Sequence, residues 1–172
     1  MTEPARERII FLDIDGVLNS TKYLSDVVAL CHKEGRVQQP IDHLDPAAIE
    51  LLNGVVAATG AVIVLSTTWR LLFGIMECKE MLYKKGLVAK IRGMTPDLPR
   101  KHFSAPRARG DEIQAWLRSY DEDVDFVVVD DDNDAGAGHT HRFVKTRDGL
   151  TQEHCRRMVE VLLGTGTNKR KK

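Results

Sequence analysis

The chain has 172 residues, 42% hydrophobic and 29% charged, and its 25 Lys and Arg equal its 25 Asp and Glu. That length and balance describe one soluble globular domain with enough apolar material for a real core. A formal net charge of zero selects neither nucleic acid, nor a membrane surface, nor an acidic partner.

Cys31, Cys78 and Cys155 are far apart and odd in number, which fits neither a zinc site nor a disulfide framework and suits a reducing compartment. Met1 to Arg8 is charged and lacks the apolar stretch of a secretory leader, and no apolar run reaches membrane-spanning length. A cytoplasmic protein with no membrane partner is expected. The basic end, Asn168 to Lys172, reads as a solvated tail, with contact to nucleic acid as the alternative.

The first predicted strand, Ile9-Ile10-Phe11-Leu12, runs into Asp13-Ile14-Asp15-Gly16. Residues two apart on a strand share a face. The two carboxylates are therefore expected side by side, repelling by ~4 kcal/mol at ~4 Å and a surface-like dielectric. A cation or a shared proton would relieve that repulsion, and Gly16 allows a sharp turn. Taken alone, such a pair is more often an ordinary turn at a strand end.

Leu24, Val27, Val28 and Cys31 follow at helical spacing, with Gly35 as the stop. The segment of about 20–44 is expected to form a small cap inserted over the strand ends. Asp45-Pro46 is an N-cap with proline at the first helical position. It opens a helix whose apolar face is Ile49, Leu52, Val55 and Val56, and Thr59-Gly60 ends it.

Ala61 to Leu65 is a second strand, leading into Ser66-Thr67-Thr68-Trp69-Arg70. A helix from Leu71 to Tyr83, stopped by Gly86, and a third strand over 87–91 are predicted next. From Gly93 to Ala108 proline and basic residues predict a loop. Arg109-Gly110-Asp111 opens a helix with Ile113, Trp116, Leu117 and Tyr120 on one face, so Trp116 reads as core rather than as a platform for bases. The strand Phe126 to Val129 ends in Asp130-Asp131-Asp132-Asn133-Asp134.

A shorter strand over 142–146 and a helix capped by Thr151 complete the chain. The stretch between Val129 and Arg142 is short for a crossover helix, so the last strand is expected to pair irregularly or run antiparallel. Strands alternating with helices predict an α/β fold, a Rossmann-like three-layer sandwich on a mostly parallel sheet. Ligands of such sheets gather outside the carboxyl ends of the strands. There a parallel sheet would bring together Asp13 with Asp15, Ser66 with Thr67, and Asp130 with Asp131.

With Arg109 ahead of its helix, this ordered set resembles the haloacid dehalogenase-like (HAD) superfamily of phosphohydrolases over residues 9 to 146. The run Leu65 to Arg70 is similar to a small-cap subgroup, some of whose members occur with nucleic-acid repair domains. The resemblance implies one domain over 1–172 that hydrolyses phosphomonoesters. Asp13 would be the nucleophile that forms an aspartyl-phosphate, and Asp15 the general acid and base. Mg²⁺ would be held by the Asp13 carboxylate, the Asp15 backbone carbonyl and Asp130, with Asp131 as a direct ligand or a holder of metal-bound water. Ser66 would bind phosphate through hydroxyl and backbone, with Thr67 as its competitor. Arg109 would stabilise the phosphate, with Arg107 and Lys101 as alternates.

Other readings remain open at this stage. A phosphotransferase or a phosphatase of nucleotides or small metabolites would use the same groups. A non-catalytic phosphate-binding module would keep the fold as an interaction surface. A phosphorylated receiver domain is disfavoured because the Asp-x-Asp pair lies on the first strand. The acidic loop lacks the glycine and glutamate of a calcium hand, and His139 with His141 lacks a third nearby soft ligand. The resemblance associates small-cap members with large or exposed substrates, and Arg100, Lys101, Arg107 and Arg109 near the site favour a nucleic-acid end among these.

Overall fold

The computed structural model describes residues 6–99, 108–120 and 123–165. Five strands form one sheet in the order β3-β2-β1-β4-β5, and every neighbouring pair is parallel. The strands are β1 (Glu7–Leu12), β2 (Val62–Leu65), β3 (Ile91–Met94), β4 (Val124–Asp130) and β5 (Phe143–Lys145). The helices are α1 (Thr21–Glu34), α2 (Pro46–Thr59), α3 (Ile75–Lys84), α4 (Arg109–Ser119) and α5 (Gln152–Leu163).

The central strand shows why the layers form. Alternation along β1 sends Ile10 and Leu12 to one face, where they pack with Leu52 of α2, Leu82 of α3 and Met158 of α5. Ile9 and Phe11 go to the other face and meet Ile113 of α4 and Val128. All four β1 side chains are fully buried, each stabilising the fold by roughly 1.5–3 kcal/mol before entropic costs. Trp116 packs edge-on against Phe11, with ring centroids 5.4 Å apart, and stacks on Tyr120. It is half-buried and packs against the core on this face of the sheet, on the side its helical spacing implied.

The caps lie where the sequence set them. Asp45 accepts from the Ala47 N–H at 2.9 Å, and Thr151 accepts from the His154 N–H. The 20–44 segment forms α1 and a 3₁₀ turn, Pro40–His43. The Tyr23 hydroxyl ties the two by donating to the carbonyls of Asp42 and Leu44 at 3.0 Å each.

Three elements differ from expectation. The third strand begins at Ile91, because β2 starts only at Val62 and the ladder pairs Ile63 with Ile91. Residues before it alternate as a strand would, with Leu87 and Ala89 buried and Val88 74% exposed. Their backbone, however, is taken by α2: Asn53 donates to the Gly86 carbonyl and accepts from the Val88 N–H.

The helix expected from Leu71 is broken. A 3₁₀ turn, Thr68–Leu71, is capped by the Thr67 hydroxyl, and α3 starts only after Gly74. Finally, β5 pairs with β4 in parallel, not antiparallel. The crossover is made by two 3₁₀ turns, Asn133–Gly136 and Thr140–Arg142. They fit because Gly136 lies against the Phe143 ring, where an added Cβ would come within 2.4 Å.

Candidate active site

Asp13 follows β1 directly, and its N–H donates to the Val129 carbonyl at 3.0 Å. Its buried carboxylate accepts from the Ile14 N–H at 2.8 Å and from Arg109 Nη1 at 2.5 Å. The same Nη1 donates to Asp130 Oδ2 at 2.7 Å and to the Ser66 carbonyl at 3.3 Å. One guanidinium nitrogen at the first residue of α4 therefore ties together the ends of β1, β2 and β4.

Asp130 ends β4 and is also buried. Its other oxygen accepts from the Asp132 N–H at 2.8 Å. Burial, reinforced by the negative charge of Asp13, pushes its carboxyl up to about 7, against the pull of Arg109. Burial likewise raises Asp13, opposed by Arg109, the Ile14 N–H and the Thr67 hydroxyl. Asp131 is exposed, but it turns inward enough that Asp13, Asp130 and Asp131 each offer a carboxylate oxygen within 4.8 Å of the others. Gly16 makes room: at φ +70 its Cβ would stand 2.4 Å from Asp131 Oδ2. An all-oxygen, strongly anionic donor set of this kind fits a hard divalent cation such as Mg²⁺.

Asp15 is placed differently from the sequence expectation. β1 ends at Leu12, and the following turn separates the two aspartates by partner. Asp15 Oδ1 accepts from Asn19 Nδ2 at 3.0 Å, and its Oδ2 accepts from Trp69 Nε1 at 2.9 Å. Asn19 in turn accepts from the Gly16 N–H at 2.9 Å. The like-charged pair that Arg109 bridges is thus Asp13 with Asp130. The Asp15 side chain does not belong to the three-carboxylate group.

Ser66 and Thr67 are both buried, and their hydroxyls differ. Ser66 Oγ has no hydrogen-bond partner, whereas Thr67 Oγ1 accepts from the Trp69 N–H at 3.3 Å. The Ser66 N–H is engaged with the Leu12 carbonyl at 2.8 Å, so only its hydroxyl is left for an anion. Lys101, Arg107 and Arg100 lie outside the described residues, as does the 168–172 tail. His139 is buried against Phe126 and His141 is exposed. Among the described residues, the one group of three candidate ligands is the aspartate group.

Two contributors carried no chemical signal of their own in the sequence. Trp69 reads as an apolar turn residue until its indole is found on Asp15. Arg70 and Glu112, 42 positions apart, form an ion pair with 3% and 2% of their side chains exposed. Arg70 also donates to the Thr67 carbonyl at 2.7 Å, so the pair joins the β2 turn to the first turn of α4, which carries Arg109.

Residues 9–155 match the family described as the HAD domain in Swiss Army Knife RNA repair proteins. The chain belongs to this family. No curated protein matches it. The match runs from within β1 through β5 and includes the three aspartates at the carboxyl edge, so membership and the parallel α/β fold agree. HAD membership points to a phosphatase-type enzyme, and HAD domains typically use Mg²⁺. No helix among the described residues is long and apolar enough to cross a membrane.

Proposed function

We propose that this HAD domain is a Mg²⁺-dependent phosphomonoesterase that acts through an aspartyl-phosphate on Asp13, on the phosphorylated end of a nucleic acid. The observation that carries the reading is Arg109 Nη1 bonded to both Asp13 and Asp130, with Asp131 beside them. A buried carboxylate is thereby held at the strand edge next to a cation-binding group. The choice of a nucleic-acid end is supported by the RNA repair proteins that the family description names.

In this reading the phosphate lies over Asp13, and the unpartnered Ser66 hydroxyl donates to one of its oxygens while Arg109 opposes its charge. An Asp13 carboxylate oxygen attacks phosphorus as the bond to the leaving oxygen breaks, and Asp15 gives that oxygen its proton. Asp15 then takes a proton from water, whose oxygen attacks phosphorus and breaks the bond to Asp13, restoring the carboxylate and releasing phosphate. Asp13, Asp130 and Asp131, with the Asp15 carbonyl, would hold the divalent cation. When bound, it offsets the repulsion between carboxylate and phosphate.

The test is phosphate release from p-nitrophenyl phosphate and from 3′- or 5′-phosphorylated oligonucleotides, with Mg²⁺ and with chelator. Turnover that needs the cation and vanishes in a folded Asp13→Asn variant is expected. Full activity of Asp13→Asn would remove the covalent step. Better turnover of a mononucleotide than of an oligonucleotide, insensitive to salt, would remove the polynucleotide substrate.

A further inference from the structure

Beside Asp15 lies a pocket of about 420 Å³, within the size range of small-ligand sites. Its apolar lining comes mostly from the turn after β2, through Trp69, Leu72 and Phe73, with Pro40 added from the inserted segment. The Trp69 and Phe73 rings are 5.6 Å apart and tilted by 58°, and Leu72 is left 76% exposed. Gln38, Gln39 and His43, from the same segment, supply the polar lining beside Asp15. Gln38 Oε1 and His43 Nε2 are 3.1 Å apart, and an amide with an imidazole offers both donors and acceptors.

We propose that this pocket binds the base of the nucleoside that carries the phosphate, so that the leaving group is read beside the acid that protonates it. The inference rests on the phosphomonoesterase reading in one respect. A residue that protonates the leaving oxygen must face the leaving group, and Asp15 lines the pocket. The chemistry of the lining then selects the occupant. A bare sugar has no apolar face large enough to use Trp69, Leu72 and Phe73. An acyl chain has no use for Gln38 and His43. A nucleobase has both an apolar face and a polar edge, and stacking on apolar and aromatic side chains is tolerant of base identity. A phenol ring would use the floor but offers a single polar atom to the rim.

Two tryptophans give a readout that needs no turnover. Trp69 Nε1–H is on Asp15, whereas Trp116 is packed against Phe11 on the other side of the sheet. Nitrogen–proton spectra, with the indole signals assigned by a Trp116→Phe variant, are recorded while adenosine, uridine, ribose or phenol is added. The nucleosides should shift the Trp69 signal at concentrations where ribose and phenol do not. Phe73→Ala should weaken that binding roughly five- to 150-fold, the range measured for single aromatic stacking contacts, and Leu72→Asp should weaken it as well.

Equal response to nucleosides and ribose, or to nucleosides and phenol, would overturn the proposal. So would a shift confined to Trp116. A second arm compares kcat/KM for nucleoside 3′- and 5′-monophosphates, ribose 5-phosphate and phosphotyrosine. Preference for the nucleotides that falls in both variants supports the pocket assignment. Turnover without any such preference overturns it while leaving the hydrolase reading in place. A Trp69 shift with nucleosides and no hydrolysis of any ester upholds the pocket and removes the hydrolase reading.

Discussion

The indole Nε1–H of Trp69 donates to Asp15 Oδ2 at 2.9 Å. Its partner on the other oxygen is the Asn19 amide, so both oxygens of an exposed carboxylate are held by neutral donors. In the proposed mechanism this makes Trp69 a positioning residue for Asp15. Trp69→Phe keeps an aromatic ring and removes the donor. We expect turnover to fall at least about tenfold, and no further than the ~10²–10⁴ that general acid–base assistance supplies in full. The loss should be largest for alkyl phosphates, whose leaving groups need a proton. Rates measured across aryl and alkyl phosphates check this, since a uniform loss would mean that Trp69 acts only by packing.

The Asp13–Asp130 pair makes the metal-free protein pH-sensitive. The Asp130 carboxyl has an ordinary value of 3.8 and is pushed up to about 7 in the fold by burial and by Asp13. Between those values the folded state holds more protons than the unfolded state, so this group's contribution to stability falls as pH rises from about 4 to about 7. Denaturation in chelator at several pH values should show that decline in the wild type, and a smaller one in Asp130→Asn. In the proposed reading Mg²⁺ would compete with the same proton, so its stabilising effect should grow over the same window. Identical pH slopes for the two proteins would remove Asp130 as the source.

Gly16 should be intolerant of a side chain for two separable reasons. Its φ of +70 disfavours any L-residue, and an added Cβ would meet the Asp131 carboxylate. Gly35 has a similar φ of +64 with nothing within 4 Å, which makes Gly35→Ala a control for the backbone cost of roughly 1–2 kcal/mol. Gly16→Ala should lose that much and also weaken divalent-cation binding, measured by calorimetry. Cation affinity equal in the two variants would show that Asp131 is not a ligand.

Arg70 and Glu112 form a buried pair that braces the start of α4. Glu112→Ala leaves the Arg70 charge buried and alone, which typically costs ~3–5 kcal/mol. Urea denaturation should show a loss of that order, and Arg70→Met combined with Glu112→Leu should recover much of it. Because Glu112 lies one turn after Arg109, the single variant should also lower activity under conditions where it is still folded. A loss below ~1 kcal/mol would place the pair among ordinary surface bridges.

What local sequence determined is what short-range physics controls. The apolar runs of β1, β2 and β4, the caps at Asp45 and Thr151, and the glycine that ends α1 each depend on a few adjacent residues. So does the placing of Asp13, Ser66 and Asp130 at strand ends, which a parallel sheet must bring to one edge. Tertiary structure decided the pairings. Ladder register moved the third strand to Ile91, because alternation assigns faces but not partners, and Asn53 had taken the backbone ahead of it. Close packing of Gly136 on Phe143 let β5 run parallel through a connection too short for a helix. The turn after Leu12 sent Asp15 to Asn19 and Trp69 and left Asp13 with Asp130, Asp131 and Arg109. Those partners come from separate strands and a helix, and nothing in their own neighbourhoods encodes the distance between them.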